Sequence, residues 1–189
     1  TISYPRAAVA ASQAVKDFQQ GNYQGALAGL ERASQIAPDV SVYYTYQSSV
    51  YAAFLKNPRR VRERECSLGM GGVPYETCLV QKTYLINRAS VEQRPFYWRS
   101  RLEMANSALA LGRHDEAIRL YTEVVATVPA SFPLQNRLAE AYIYIGQPER
   151  AVEVLEGSLA ITGDSGESAP AQQLLELANQ KLQERNSGS

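Results

Sequence analysis

Two stretches of this chain lie over one another without a gap, and that fact limits the fold more than any other feature. Residues 101–117 align with residues 135–151, so that Ala105 meets Ala139, Gly112 meets Gly146 and Ala117 meets Ala151, each pair 34 residues apart. A fixed period of this length marks an array of supersecondary units that stack to bury a face none could bury alone.

Each unit reads as two helices joined by a tight turn. A small residue, Ala105 or Ala139, sits mid-way along the first helix, where only a methyl lets a neighbour come close. Gly112 and Gly146 follow it at the position where a left-handed residue ends a helix. The second helix opens on Asp115 and Glu116 in one unit and on Pro148 and Glu149 in the other, both suited to a helix N-terminus. Ala117, Tyr121, Val124 and Val128 in one unit, and Ala151, Leu155 and Leu159 in the other, then form one apolar stripe.

A third copy occupies the start, where Ala14, Gly21, Tyr23, Ala26, Leu30, Ala33 and Pro38 keep the same spacing and Asn22 is a natural N-cap. Gly21 precedes Gly112 by 91 residues, two periods and a remainder, so a degenerate repeat with an insertion must fill the interval. Its helices are expected at about 42–55 and 78–90. The chain closes on Ser168, Pro170 and a stripe of Leu174, Leu175, Ala178 and Leu182 with a polar back, a helix fit to cap an open end; residues 163–167 connect it.

These residues resemble the tetratricopeptide repeat family. The resemblance covers nearly all of residues 7–185 apart from the insertion, and it implies one all-α domain, a right-handed superhelix of helical hairpins. Its repeats would be at about 7–40, 41–95 (insertion 56–77), 96–130 and 131–163, with a capping helix at 168–185. His114 and Pro148 depart from the family's usual tyrosine at the start of the second helix, and Gly163 from the proline expected at the end of the fourth repeat. The resemblance further implies a concave groove lined by first helices, here by Arg99, Glu103, Asn106 and Ala110, then by Asn136, Arg137, Glu140 and Tyr144. Amides can bond an extended backbone and guanidinium can pair with a carboxylate. The first repeat has Ala11 and Val15 where the family's carboxylate clamp needs lysine and asparagine, so that clamp is absent.

The rest of the sequence narrows the class of function. Nineteen basic residues balance nineteen acidic ones, which removes the global field that nucleic acid or an anionic membrane would require. No apolar run reaches the length of a membrane helix. Thr1 in place of a methionine, and the end at Asn186, Ser187, Gly188 and Ser189, read as the ends of a piece of a longer polypeptide.

Chemistry has few candidates. His114 is the only histidine, with nothing nucleophile-like around it, so a catalytic triad has no home and no enzyme activity is expected. Cys66 and Cys78, the only cysteines, flank a glycine-rich stretch inside the insertion; a disulfide is expected, with two reduced thiols as the alternative. A metal site would need four ligands, and only His114 could join the pair, so neither metal nor cofactor is expected. A bridge would favour an extracytoplasmic location over the cytoplasm. Lys56, Arg59, Arg60, Arg62 and Arg64, interleaved with Glu63 and Glu65, form either a solvated run or a basic patch for an acidic partner, a lipid head group or a phosphate-bearing glycan. Among the crowded Tyr43, Tyr44, Tyr46 and Tyr51, Tyr44 and Tyr51 are expected to pack and Tyr46 to face the groove.

The leading expectation is a non-catalytic scaffold that binds a protein or peptide segment in its groove. A second follows from residues 41–111, which are similar to the extracytoplasmic repeat tails of bacterial O-antigen ligase-like polymerases. That resemblance implies upstream membrane spans and a part in cell-surface glycan assembly. Self-association through the insertion is a third.

Overall fold

In a computed structural model, the described residues are 4–57, 63–67, 72–162 and 168–187, and they form ten α-helices and no strand. In chain order these are α1 (Tyr4–Gln19), α2 (Tyr23–Ile36), α3 (Val42–Lys56), α4 (Arg64–Ser67), α5 (Tyr75–Gln93), α6 (Trp98–Ala110), α7 (His114–Thr127), α8 (Phe132–Tyr144), α9 (Pro148–Thr162) and α10 (Ala169–Ser187). The all-helical expectation holds. The chain divides into two compact units, Thr1–Leu111 and Gly112–Ser189.

The periodic glycines end helices as their spacing requires. Gly21 and Gly146 have φ of +78° and +76°, a conformation strained for any residue with a Cβ. Behind each, a six-to-one bond closes the Schellman turn, Asn22 N–H to the Asp17 carbonyl at 2.8 Å and Gln147 N–H to the Tyr142 carbonyl at 2.9 Å. Asn22 then begins the next helix, its Oδ1 accepting the Gly25 N–H at 3.1 Å. Pro148 is the first residue of α9, as expected.

In the first unit, α1 packs on α2, α2 on α3, α3 on α5 and α5 on α6. Its core begins as a small-residue seam, with Ala7, Ala14, Ala26 and Ala33 fully buried, and widens to Leu30, Tyr51, Phe54 and Leu79. The seam is close: a Cβ added at Gly29 would lie 2.8 Å from the Cβ of Ala14. Helix α3 buries Tyr43, Gln47, Val50, Tyr51 and Phe54, the 3-4 stripe of an amphipathic helix. Tyr44 and Tyr51 pack as expected, and the Tyr44 hydroxyl donates to the Pro38 carbonyl at 2.9 Å.

The insertion is not a bare loop. Cys66 lies in α4, 2 % exposed, and forms a disulfide with Cys78 of α5 across a Cα–Cα distance of 5.6 Å. Glu63, read from sequence as part of a charge run, is 3 % exposed. Its carboxylate caps α4, accepting the N–H groups of Glu65 at 3.1 Å and Cys66 at 2.6 Å, and its own N–H donates to the Tyr75 hydroxyl at 2.8 Å. Lys82 of α5 pairs with Glu65 and lies 5.9 Å from the centre of the Tyr51 ring. Because Tyr75 serves this cap and is itself buried, α5 begins at Tyr75 rather than near Cys78, three residues inside the expected insertion.

In the second unit, α7 packs on α8, α8 on α9, and α10 on both α8 and α9. Ala139, Ala151, Leu155, Ala171 and Ala178 form the core, with Leu174 and Leu175 of α10 against it. Of the expected stripe of α10, Leu174, Leu175 and Ala178 pack into this core. Ser168 directly precedes α10 and its carbonyl accepts the Gln172 N–H at 3.0 Å. The connecting loop expected at 163–167 lies outside the described residues.

Candidate functional site

Helix α3 has a second stripe beside its buried one. Thr45, Ser48, Ser49 and Ala52 recur at helical spacing, and all are small, so the helix surface there is low. Opposite them stand Arg99, Ser100 and Glu103 of α6, with Tyr97 just before that helix and Asn87 of α5 between the two. Together these residues bound a cleft of about 210 Å³. A second cleft of about 220 Å³ shares Ser48, Ala52 and Glu103 with the first and adds Leu55, Val80, Thr83, Asn106, Ser107 and Ala110. The shared residues make it one groove, with more polar surface at the Tyr97 end than at the Ala110 end.

The floor is held by buried hydrogen bonds. Asn87, 1 % exposed, donates from Nδ2 to the Ser48 hydroxyl at 3.0 Å and to the Thr83 carbonyl at 2.9 Å. Both amide hydrogens are thereby committed, which fixes the side chain and ties α5 to α3. The hydroxyls of Ser90 and Ser100 lie 2.8 Å apart and tie α5 to α6. A groove whose floor is tied by these bonds can present fixed groups to a ligand rather than collapse onto itself.

The rim carries two charges of opposite sign. Arg99 sits with its guanidinium carbon 5.4 Å from the centre of the Trp98 ring, and among the described residues no carboxylate pairs with it. A guanidinium that meets a ring with its face keeps its N–H edge available for hydrogen bonds. Glu103, one helical turn on, accepts from Asn106 Nδ2 at 3.4 Å.

Of the groove residues expected from sequence, Arg99, Glu103, Asn106 and Ala110 come together here. Tyr46 is exposed on α3 but lines neither cleft, since it stands off the stripe of Thr45, Ser49 and Ala52. The remaining four are on α8 of the second unit. There Arg137 pairs with Glu140 on its own helix at 3.0 Å, and Tyr144, 70 % exposed, packs edge-on against His114 at 6.3 Å. Asn136 Oδ1 is buried and accepts no hydrogen bond from the described residues. Of the basic patch, Arg64 is exposed on α4, while Arg59, Arg60 and Arg62 lie outside the described residues. Ser48, Ser49 and Asn87 were missed because the degenerate repeat has no period to set its register; small polar residues at three- and four-residue steps on α3 were the available signal.

Among the described residues no helix is long and apolar enough to cross a membrane. Residues 108–178 match the tetratricopeptide repeat family. No curated protein matches the chain. Among solved structures, the chain resembles residues 41 to the end of MamA from Desulfovibrio magneticus RS-1, at 13% identity and a TM-score of 0.64, over 95% of this chain and 92% of that one. It resembles TTC0263, a thermophilic tetratricopeptide repeat protein of Thermus thermophilus, at 17% identity and a TM-score of 0.59, over 89% and 77%. It also resembles the first tetratricopeptide repeat domain of Spaghetti (RPAP3), solved bound to an HSP90 peptide, at 19% identity and a TM-score of 0.57, over 76% and 96%.

Proposed function

We propose, for a chain whose residues 108–178 are tetratricopeptide repeat sequence and whose fold is shared with solved proteins of that kind, a non-catalytic interaction module that holds an extended partner segment in the cleft of α3, α5 and α6. The observation that carries this is the groove itself, open between two helices, bonded along its floor and edged by Arg99 and Glu103. The HSP90 peptide bound by the related Spaghetti domain supports the reading by analogy.

The disulfide supports a location in an oxidising, extracytoplasmic compartment. It also supports the second reading, an extracytoplasmic tail of a larger membrane protein of cell-surface glycan assembly.

The test is selection of binding peptides from a random library on the oxidised protein, followed by affinity measurement on Ala52→Trp. Ala52 is exposed on the groove wall, so an indole there fills the groove without entering the core. Binding lost in this variant, with an unchanged melting curve, is the expected result. Binding retained moves the site elsewhere.

A further inference from the structure

Between α5 and α6 the chain presents an aromatic ring that lines neither cleft of the groove. Phe96 is 90 % exposed, the most exposed of the large apolar side chains among the described residues. Its backbone is tied down on both sides. The Tyr97 N–H donates to the Arg94 carbonyl at 3.0 Å, closing a turn with Pro95 at its second position and Phe96 at its third. The Arg94 N–H donates to the Ser90 carbonyl at 2.9 Å at the end of α5, and the Arg101 guanidinium, from the first turn of α6, donates to the Pro95 carbonyl at 2.5 Å. The ring is thus held at the apex of a braced turn, with its apolar surface left in water.

Around it the charge is of one sign. Residues 93–102 hold Arg94, Arg99 and Arg101 and no acid. The acids that bracket this stretch meet other partners, Glu92 with Arg88 at 3.6 Å and Glu103 with Asn106 at 3.4 Å. Tyr97 and Trp98, both half-buried, follow the apex. Such rings, apolar in body and polar at one edge, favour the boundary between water and hydrocarbon. Arg94 and Phe96, with Gln93, Pro95 and Tyr97, also bound an open hollow of about 440 Å³.

We propose that the α5–α6 turn docks on an anionic lipid surface, with Phe96 entering the acyl boundary and the arginines pairing with head-group phosphates. The charges of the chain balance overall, so attraction to such a surface must come from a local patch of this kind. One ring and its turn offer far less than the roughly 800 Å² a side of a stable protein interface, whereas lipid closes around whatever enters it. Such a contact lies on the bilayer and needs no spanning helix. Arg99 also edges the groove, but Arg94 and Phe96 line neither of its clefts, so these two carry the test.

Trp98, the only tryptophan, stands two residues from Phe96 and reports the contact directly. The oxidised protein is titrated with vesicles of phosphatidylcholine, with and without phosphatidylglycerol, and followed by co-sedimentation and Trp98 emission. It should bind the mixed vesicles, with a blue shift of Trp98 and a loss of binding as salt is raised, and bind phosphatidylcholine alone far less. Phe96→Ser should weaken that binding about tenfold or more, and Phe96→Leu should retain most of it. Arg94→Gln should weaken it about fivefold. Both side chains are exposed, so melting curves should not change. No binding to the mixed vesicles, or equal binding by Phe96→Ser, overturns the proposal. Phe96-dependent dimers in sedimentation velocity, with no vesicle bound, overturn it too and assign the turn to a contact between copies of the chain.

Discussion

The carboxylate of Glu63 accepts the backbone N–H of Cys66 at 2.6 Å, so one buried acid caps the short helix whose cysteine is bridged to α5. Removing it leaves the N–H groups of Glu65 and Cys66 without their acceptor, the one part-buried and the other buried. Glu63→Ala should therefore destabilise the protein by about 1 to 3 kcal/mol, and Glu63→Gln, which keeps one acceptor oxygen, by less. Urea denaturation followed by circular dichroism checks this; equal stability of wild type and Glu63→Ala would mean the cap has no energetic role.

The disulfide spans a sequence separation of 12. On the chain-entropy estimate, closing so short a loop contributes about 2 to 3 kcal/mol. The double variant Cys66→Ser, Cys78→Ser should lose that amount and should no longer respond to reductant. A melting curve with and without reductant, on both proteins, gives the answer.

Glu31 of α2 carries a carboxyl raised above its ordinary value by burial, with Lys82 lowering it and Glu65 and Glu63 raising it again. An acid whose folded value is raised weakens the fold while ionised, so the penalty is present above the raised value and disappears as pH falls below the ordinary one, 4.5. Glu65 runs the other way: its hydrogen bond and charge contact with Lys82 lower it, and its stabilisation is lost as pH falls through that lowered value. Glu31→Gln should thus melt higher than wild type at pH 7, and the difference should close toward pH 4. A gain that persisted at pH 4 would assign the effect to something other than ionisation.

Two helical glycines make opposed predictions. At Gly157 a Cβ meets nothing within 4 Å, so Gly157→Ala should stabilise α9 by about 1 kcal/mol through helix propensity. At Gly29 the same atom falls 2.8 Å from the Ala14 Cβ and 3.3 Å from the Ala10 carbonyl. The forced separation of α1 and α2 should outweigh the propensity gain and leave Gly29→Ala less stable by about 1 kcal/mol. Thermal unfolding of the pair distinguishes packing from propensity in one experiment.

The regular part of the fold is legible in the sequence because a repeat reports its register twice. Gly112 and Gly146 identify each other, and Gly21 extends the pattern, so turns, caps and stripes follow. The α6 side of the groove was legible for the same reason, through Arg99, Glu103 and Asn106. The α3 and α5 sides were not. Ser48 and Asn87 are 39 residues apart with the insertion between them, and only the fold brings their side chains to 3.0 Å. Glu63 was hidden differently. In a stretch of alternating Arg and Glu its composition reads as solvated, and nothing local shows that α4 and Tyr75 enclose it.

Amide chemical-shift mapping with a library-selected peptide shows whether the cleft of α3, α5 and α6 holds a partner segment. The shifted resonances should fall on Thr45, Ser48, Ala52, Asn87, Arg99 and Glu103. Shifts confined to α8, around Arg137 and Tyr144, or to exposed Phe96, with these six unmoved, would contradict it.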